Sequence, residues 1–333
     1  MPVLDKSNKI QVEKYNKFLK GKENVSLTQD FRFLSSDKNN NFEIVYLEKN
    51  DNITATMALS IIPVSPKYSV LYCCNGPVCD IYNLEEVVAL IEETKGIAMK
   101  HKALMLIMNP EVENNEKLKA LYKKKGFKIY SKLPFDFIKN TSSSNMVMDL
   151  SDVEEKSMLE TLQDKAKYYV ETAEKKNVQI KIGTTKREFN KFMKLYEQEK
   201  TLDFQDVKNF ETFKTLLKEL DDDELRIYTA TVNGKVLSSA IACKYEETIK
   251  CLEEAFVKED SQAIFARAKI HYEIMRWGIK TGCTSYNMGR VELDNRFKEG
   301  FATKAGNIEY IGKICKIYNR YASLIYRIRG KKI

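Results

Sequence analysis

Seven cysteines and two histidines are the residues of this 333-residue chain with the most latent chemistry, and their spacing builds none of the usual sites. Cys73 and Cys74 are adjacent, while Cys79, Cys243, Cys251, Cys283 and Cys315 form no CxxC pair. With only His101 and His271 to complete a ligand set, no zinc site is expected. The cysteines read as reduced packing residues. Nothing in the sequence brings a cysteine and a histidine together as a catalytic pair, and no nucleophile–base triad is recognisable. The remaining chemistry is cationic: 55 Lys and Arg against 47 Asp and Glu give a net charge of +8. That balance admits an anionic partner such as a nucleotide sugar, a lipid phosphate or tRNA, and it equally describes a solvated lysine-rich surface.

The elements that must position such residues come in two similar sets. At 43% apolar residues, with 16 Phe and 18 Tyr, the chain can fill two ordinary cores, as its length also predicts. No apolar run approaches the roughly 20 residues of a membrane span, and residues 1–10 hold no signal-peptide core, so a soluble cytoplasmic protein is expected. Phe42 to Leu47 and Ile53 to Ala58 read as one β-hairpin. Arg226 to Val232 and Lys235 to Cys243 read as another, across Asn233-Gly234, the pair best suited to a turn with two positive φ angles. Each hairpin is followed by a third strand (Ser69 to Cys73; Thr248 to Leu252), an amphipathic helix (Leu84, Val87, Val88, Ile91; Ile264, Ala268, Tyr272, Met275, Ile279) and a fourth strand (Ala103 to Met108; Thr284 to Met288). The first half adds a helix over 116–124 that closes on Gly126. Further helices are expected around 159–173, 188–197 and 210–220, and the Ser/Thr-rich segment 140–144 marks the boundary between halves.

Hairpin, strand, helix, strand, helix resembles the GNAT N-acetyltransferase fold, and its recurrence predicts an α+β protein of two tandem GNAT-like domains, mixed sheets flanked by helices. Acyl-CoA-binding members of that fold carry a glycine-rich loop ahead of the central helix, whose backbone N–H groups hold the pyrophosphate. Neither residues 74–79 nor 254–263 fits that pattern, which disfavours a plain acetyltransferase.

Four stretches then resemble the Fem family, non-ribosomal aminoacyltransferases that build peptidoglycan cross-bridges from aminoacyl-tRNA. They are Thr28 to Phe33 with Lys38-Asn39-Asn40-Asn41-Phe42; Gly76-Pro77-Val78; Leu162 to Tyr169 with Ala173 to Val178; and Tyr286-Asn287-Met288-Gly289-Arg290, Phe297-Lys298-Glu299-Gly300-Phe301 and Ile308 to Gly312. Their order covers nearly the whole chain. No heptad-rich insertion supplies the coiled-coil arm of some relatives, so the chain resembles the armless, FemX-like branch.

The resemblance implies transfer of Gly, Ala or Ser from aminoacyl-tRNA to the third-residue amino group of a stem peptide, on UDP-MurNAc-pentapeptide or its lipid-linked form. It implies no cofactor, no metal, no stable membrane insertion and a monomer. Lys298 matches the family lysine that would stabilise the tetrahedral intermediate or the departing ribose oxygen. Lys38 and Lys208 match basic contacts to the nucleotide diphosphate, with Phe42 and Asn109 in the wall of that cleft. Arg290 replaces the second glycine of the family's Gly-Gly, where it either alters the backbone approach or contacts a phosphate. Leu104 stands in place of a substrate-facing tyrosine, and Asn109 in place of an aspartate, so no general base is available there. Lys165, Lys167, Lys175, Lys176, Arg327, Arg329, Lys331 and Lys332 are the basic residues open to tRNA phosphates. The expected domains are 1–150, completed by a C-terminal helix over 317–333, and 151–316. The alternatives are a tandem GNAT using acyl-CoA, and a non-catalytic GNAT-like protein that binds nucleotide sugars or tRNA.

Overall fold

A computed structural model describes residues 3–22, 25–36, 40–131, 133, 144–199, 214–291, 296–301 and 306–319. By its internal contacts the chain forms two units, Met1–Ser143 with Glu309–Ile333, and Ser144–Ile308.

The first unit opens with helices α1 (Lys9–Leu19) and α2 (Phe31–Ser36). The expected hairpin follows as β1 (Phe42–Lys49) and β2 (Asn52–Pro63), then β3 (Ser69–Cys74), helices α3 (Leu84–Glu93) and α4 (Lys95–Lys100), β4 (Ala103–Asn109), α5 (Glu116–Lys124) and β5 (Lys128–Tyr130). Helix starts follow their capping residues: the Asn83 side chain accepts from Glu86 N ahead of α3, and the Asn115 side chain from Leu118 N ahead of α5. Glu85 and Glu86 sit in the first turn of α3, where the helix dipole favours them. Gly126 ends α5 at φ +84°.

The second unit repeats the plan: β6 (Ser144–Asp149), α6 (Asp164–Lys175), β7 (Gln179–Gly183), α7 (Lys186–Glu199), a helix over residues 214–219 (α8), the hairpin β8 (Leu225–Val232) and β9 (Lys235–Tyr245), then β10 (Thr248–Phe256), α9 (Ala263–Lys280), β11 (Ser285–Arg290), α10 (Arg296–Glu299) and β12 (Gly306–Glu309). Asn233 and Gly234 take φ of +50° and +77°, the geometry for which their types were read. The chain then supplies β13 (Lys313–Ile317) to the first unit.

Both sheets are mixed. The first has the order β1-β2-β3-β4-β13-β5 and the second β12-β6-β11-β10-β9-β8-β7. In each, an antiparallel meander is joined by a helical crossover to a strand parallel to its last member, β4 beside β3 and β11 beside β10. α9 is buried around most of its surface, with Ala266, Ile270, Ile274, Met275 and Trp277 in the second core. No described helix is long and apolar enough to cross a membrane.

The expected boundaries at 150 and 316 fall against two short strands. β6 pairs with β11 in the second sheet (Ser285↔Asp149), while β13 lies between β4 and β5 in the first. Ile317 ends β13, and the expected C-terminal helix lies outside the described residues from 320 onward.

Gly312, the last residue of the Ile308-to-Gly312 motif, has a structural role. Its φ is +97°, and a Cβ there would come 2.7 Å from the Tyr130 backbone oxygen. Next to it Lys313, 2% exposed, extends its Nζ to the Ser131 carbonyl at 2.9 Å. Gly312→Ala is therefore expected to cost about 1–2 kcal/mol for the left-handed backbone and roughly 1–3 kcal/mol more for the clash. A urea titration checks it: the midpoint should fall with the slope unchanged, and an unshifted midpoint would refute this role.

Candidate functional site

Each sheet has one place where a parallel pair ends and its strands go separate ways, and in open sheets ligands bind outside such carboxyl ends. In the first unit the pair ends at Cys74↔Asn109. The Cys74 carbonyl, with no strand beyond it, accepts from Thr28 Oγ1 at 2.9 Å and from Gln29 Nε2 at 2.6 Å. Gln29 is fully buried, and its Oε1 accepts from Ala58 N at 3.1 Å. Gly76 lies against it so closely that a Cβ would meet Gln29 Cδ at 2.8 Å. Asn109 Nδ2 points to Asn75 Oδ1 at 3.5 Å, and Asn75 Nδ2 donates to Ser26 Oγ at 3.2 Å. The crevice mouth is thus lined by amides and hydroxyls, groups that recognise hydrogen-bonding ligands without supplying a base.

Phe42 is placed elsewhere. It is 6% exposed, meets Phe31 edge-on at 5.9 Å and packs with Leu4, Tyr15 and Leu19. The register Phe42↔Ser60, Ser60↔Tyr72, Tyr72↔Ile107 sets it three strands from β4, about 14 Å at the usual strand spacing. Its ring carries Lys6 Nζ at 4.6 Å from the centroid. Leu104 is core, packed with Val70, Tyr72 and Met105. Lys38 and Lys208 lie outside the described residues, as do Arg327, Arg329, Lys331 and Lys332.

In the second unit β10 and β11 pair only from Thr248↔Ser285 to Lys250↔Asn287, and β10 continues to Phe256 paired with β9 and without β11. Gly289, at φ +82°, turns the end of β11, with its N–H donating to Asn287 Oδ1 at 2.8 Å. Lys298, on the short α10, donates from Nζ to the Arg290 carbonyl at 3.1 Å. The structure therefore brings Lys298 to Arg290 through the arginine's backbone, and the Arg290 side chain is left exposed.

Beneath Lys298 is a buried polar network that sequence reading missed. Glu254 on β10 accepts two hydrogen bonds from Arg267 on α9, Nε to Oε1 at 2.8 Å and Nη2 to Oε2 at 2.9 Å. The guanidinium lies between two rings, 3.9 Å from the Phe256 centroid and 4.2 Å from that of Phe297. His271, fully buried one turn along α9, shares a 2.6 Å hydrogen bond between Nδ1 and the Tyr286 hydroxyl, and its Nε2 lies 3.3 Å from Glu254 Oε1. Phe297 and Phe301 close over the imidazole at 5.6 and 5.8 Å. The signal that could have found the network is the pair Arg267 and His271, four apart on an otherwise apolar helix face.

The electrostatics of this cluster define its chemistry. Burial disfavours the Glu254 carboxylate, but Arg267 and His271 outweigh it and hold its pKa well below the usual range. Burial lowers the pKa of His271, against the pull of Glu254. Burial, reinforced by Glu254, pushes the Cys251 thiol up to about 12 despite the nearby Lys298, so it is no thiolate nucleophile at neutral pH. The site offers a fixed ammonium above a matched ion pair and a neutral imidazole. It is suited to stabilising developing negative charge, and it holds no activated nucleophile.

A model of the FemAB family matches residues 10–264. The chain is 26% identical, over 98% of its length and 99% of the other's, to a UDP-N-acetylmuramoylpentapeptide-lysine N(6)-alanyltransferase of Weissella viridescens. Among solved structures it is similar to a crystal structure of FemX, at a TM-score of 0.79 and 16% identity, covering 98% of this chain and 100% of that one. It also resembles a tandem GNAT protein of the clavulanic acid biosynthesis pathway, at a TM-score of 0.58 and 8% identity, covering 95% of this chain and 97% of that one. These last two likenesses bear on the fold, and they agree with two GNAT-like units.

The network also sets how stability responds to acid. His271 has a folded-state pKa below its ordinary 6.5, so the unfolded chain takes up that proton first and stability is lost as pH falls from about 6.5. Glu254 is held below its ordinary 4.5, so its contribution is present above that value and is lost on further acidification. Urea midpoints should fall in these two ranges, with Glu254→Gln flattening the lower one. The same variant leaves Arg267 buried and uncompensated, at a cost of about 3–5 kcal/mol at neutral pH. An acid limb and a neutral-pH midpoint both unchanged by the substitution would refute the assignment.

Proposed function

The chain belongs to the FemAB family, and from that premise we propose that it is a tRNA-dependent aminoacyltransferase of peptidoglycan cross-bridge synthesis, acting in the cytoplasm. It moves Gly, Ala or Ser from aminoacyl-tRNA to the third-residue amino group of a stem peptide on UDP-MurNAc-pentapeptide or its lipid-linked form. The Weissella relative is named for alanine transfer to lysine N6, which makes alanine and a lysine ε-amino group the first pair to try.

The observation that carries the reading is Lys298, held through the Arg290 carbonyl at 3.1 Å where β10 and β11 part. The acceptor amine attacks the ester carbonyl of the aminoacyl-tRNA. A C–N bond forms, and the tetrahedral intermediate carries an oxyanion. Its collapse breaks the C–O bond to the ribose, and the proton lost by the amine ends on the ribose hydroxyl. An aminoacyl ester is already activated, so alignment of the two substrates and stabilisation of that oxyanion do most of the work. The Lys298 ammonium supplies the stabilising charge, on the intermediate or on the departing ribose oxygen. The buried acids and bases around it are committed to one another, in keeping with a reaction that needs no nucleophile from the protein.

On the acceptor side, Lys38 and Lys208 are the proposed cations for the nucleotide diphosphate. A lysine at the second position gives a point charge without the two-pronged grip of an arginine. Asn109 and Asn75 give the first unit's crevice an amide lining fit for a sugar or a peptide. Asn109 orients and does not abstract a proton.

Mass spectrometry tests the reading. The protein is incubated with a pool of charged tRNAs and UDP-MurNAc-pentapeptide, in lysine and diaminopimelate forms and then as lipid-linked precursor. One added residue mass, abolished by RNase, is the expected result. Lys298→Ala should lower turnover by about 10²–10³-fold, the scale for loss of one oxyanion-stabilising group, with the fold retained and stability reduced by no more than the roughly 0.5–1.5 kcal/mol of its one hydrogen bond to the Arg290 carbonyl. No added mass on any acceptor would overturn the proposal in favour of a binding protein without turnover.

A further inference from the structure

The second unit carries a run of aromatic rings on α6 and α9 that extends outward from its core, through the half-buried Tyr169 and Phe265 to the exposed Tyr168. The buried positions of α6 are Ala166, Val170 and Ala173. Tyr168 points away from them and is 57% exposed. Its ring lies 5.9 Å from Tyr169 and 6.5 Å from Phe265 of α9, the latter edge-on. Tyr169 and Phe265 meet edge-on at 5.9 Å, and Tyr169 stacks on Phe297 at 6.3 Å with 22° between planes. Phe297 precedes Lys298, so the rings lead from solvent to the proposed catalytic ammonium. Backbone joins the same two ends: Gln163 N, just before α6, donates to the Gly300 carbonyl at 3.0 Å, just after α10.

Cations accompany the rings. Lys165 Nζ is 5.9 Å from the Tyr169 centroid, and Lys176 Nζ is 5.6 Å from that of Phe265. Two of the carboxylates nearby are matched within the protein, Glu160 by Lys167 and Glu174 by Lys269, while Asp164 and Glu171 also lie on α6. An exposed ring beside two half-buried rings that carry ammonium groups, in a chain of net charge +8, combines the two features that bind unpaired nucleic acid: flat faces for bases and positive charge for phosphates.

We propose that Tyr168, Tyr169 and Phe265, with Lys165 and Lys176, form a stacking platform for the unpaired 3′ end of an RNA, which it guides toward Lys298. This rests on the aminoacyl-tRNA reading and specifies how the donor is seated. Bases stack on the rings in a sequence-tolerant way, and the lysines meet the backbone between them. The platform holds the single-stranded end, and the duplex contributes nothing at these residues.

Fluorescence anisotropy on the full chain tests it, with a labelled RNA hairpin bearing four unpaired 3′ nucleotides and the same hairpin made blunt. Wild type should prefer the overhang. Tyr168→Ala should weaken overhang binding roughly tenfold, the scale of one lost base–aromatic stack, and leave the blunt hairpin unaffected. Tyr168→Trp should restore binding. The double variant Lys165→Gln, Lys176→Gln should reduce the slope of log affinity against log salt by about 1.4, at about 0.7 per phosphate contact on a single strand. Equal overhang binding by wild type and Tyr168→Ala, or equal loss for both RNAs, would overturn the platform. The two readings fail separately. Transfer by Tyr168→Ala at the wild-type KM for aminoacyl-tRNA sinks the platform and spares the enzyme. An overhang preference that Tyr168→Ala abolishes, in a protein that transfers nothing, spares the platform and sinks the enzyme.

Discussion

A strand that leaves its parallel neighbour strands hydrogen-bonding groups on its backbone, and a buried carbonyl or N–H without a partner costs about as much as a lost hydrogen bond. Both sheets meet this constraint with side chains of the same unit, some from the strand itself and some from distant segments. At the end of β3 the Cys74 carbonyl is taken by Thr28 and Gln29. At the end of β11 the Gly289 N–H is taken by Asn287 and the Arg290 carbonyl by Lys298. The residues that repair the ladder thereby become the residues that line the crevice. Four of the stretches that resemble Fem motifs, Thr28 to Phe33, Gly76 to Val78, Tyr286 to Arg290 and Phe297 to Phe301, sit at these two repairs, and the groups that make the repairs are amide, hydroxyl and ammonium.

The second crevice adds a layer of charge below the repair. Arg267 is fixed three ways, by a two-pronged hold on Glu254 and by a ring on each face. One of those rings belongs to Phe297, so the position of α10 and of Lys298 depends on a guanidinium thirty residues earlier in the chain. A lysine at 267 would keep the charge and lose both the fork and the stack. His271 serves the same end with its hydrogen bond to Tyr286, tying α9 to β11. Rigid support of this kind is what a reaction driven by positioning and electrostatics demands.

Much of the fold was legible because its signals are local. The two hairpins follow from alternating apolar residues around polar turns, and Asn233-Gly234 adopts the two positive φ angles that its types favour. The crossover helices follow from their apolar spacing. Lys298 was legible only through resemblance, since Phe-Lys-x-x-Phe has no meaning by composition. The network of Glu254, Arg267, His271 and Tyr286 was not legible as a network, because a strand, a helix and a second strand bring the four together, and the Arg267 and His271 pair on an apolar helix face was its one local signal. Phe42 was expected in the cleft wall only through the resemblance, and in the structure it fills the core beside Tyr15 and Leu19. β13 was hidden because five residues, Lys313 to Ile317, carry too short a pattern to be told from the start of the helix expected after them.

That late strand has a consequence for synthesis. β4 and β5 share no direct pairing, and each meets the first sheet's last-made strand, β13. The second unit is one continuous segment, residues 144–308. A nascent chain emerging at roughly 5–20 residues per second therefore holds the first sheet open at β4 while the whole second unit appears and can close. The part encoded first is the part completed last, and for that interval on the ribosome the edge of β4 is an unpaired template that a chaperone or a neighbouring chain could reach.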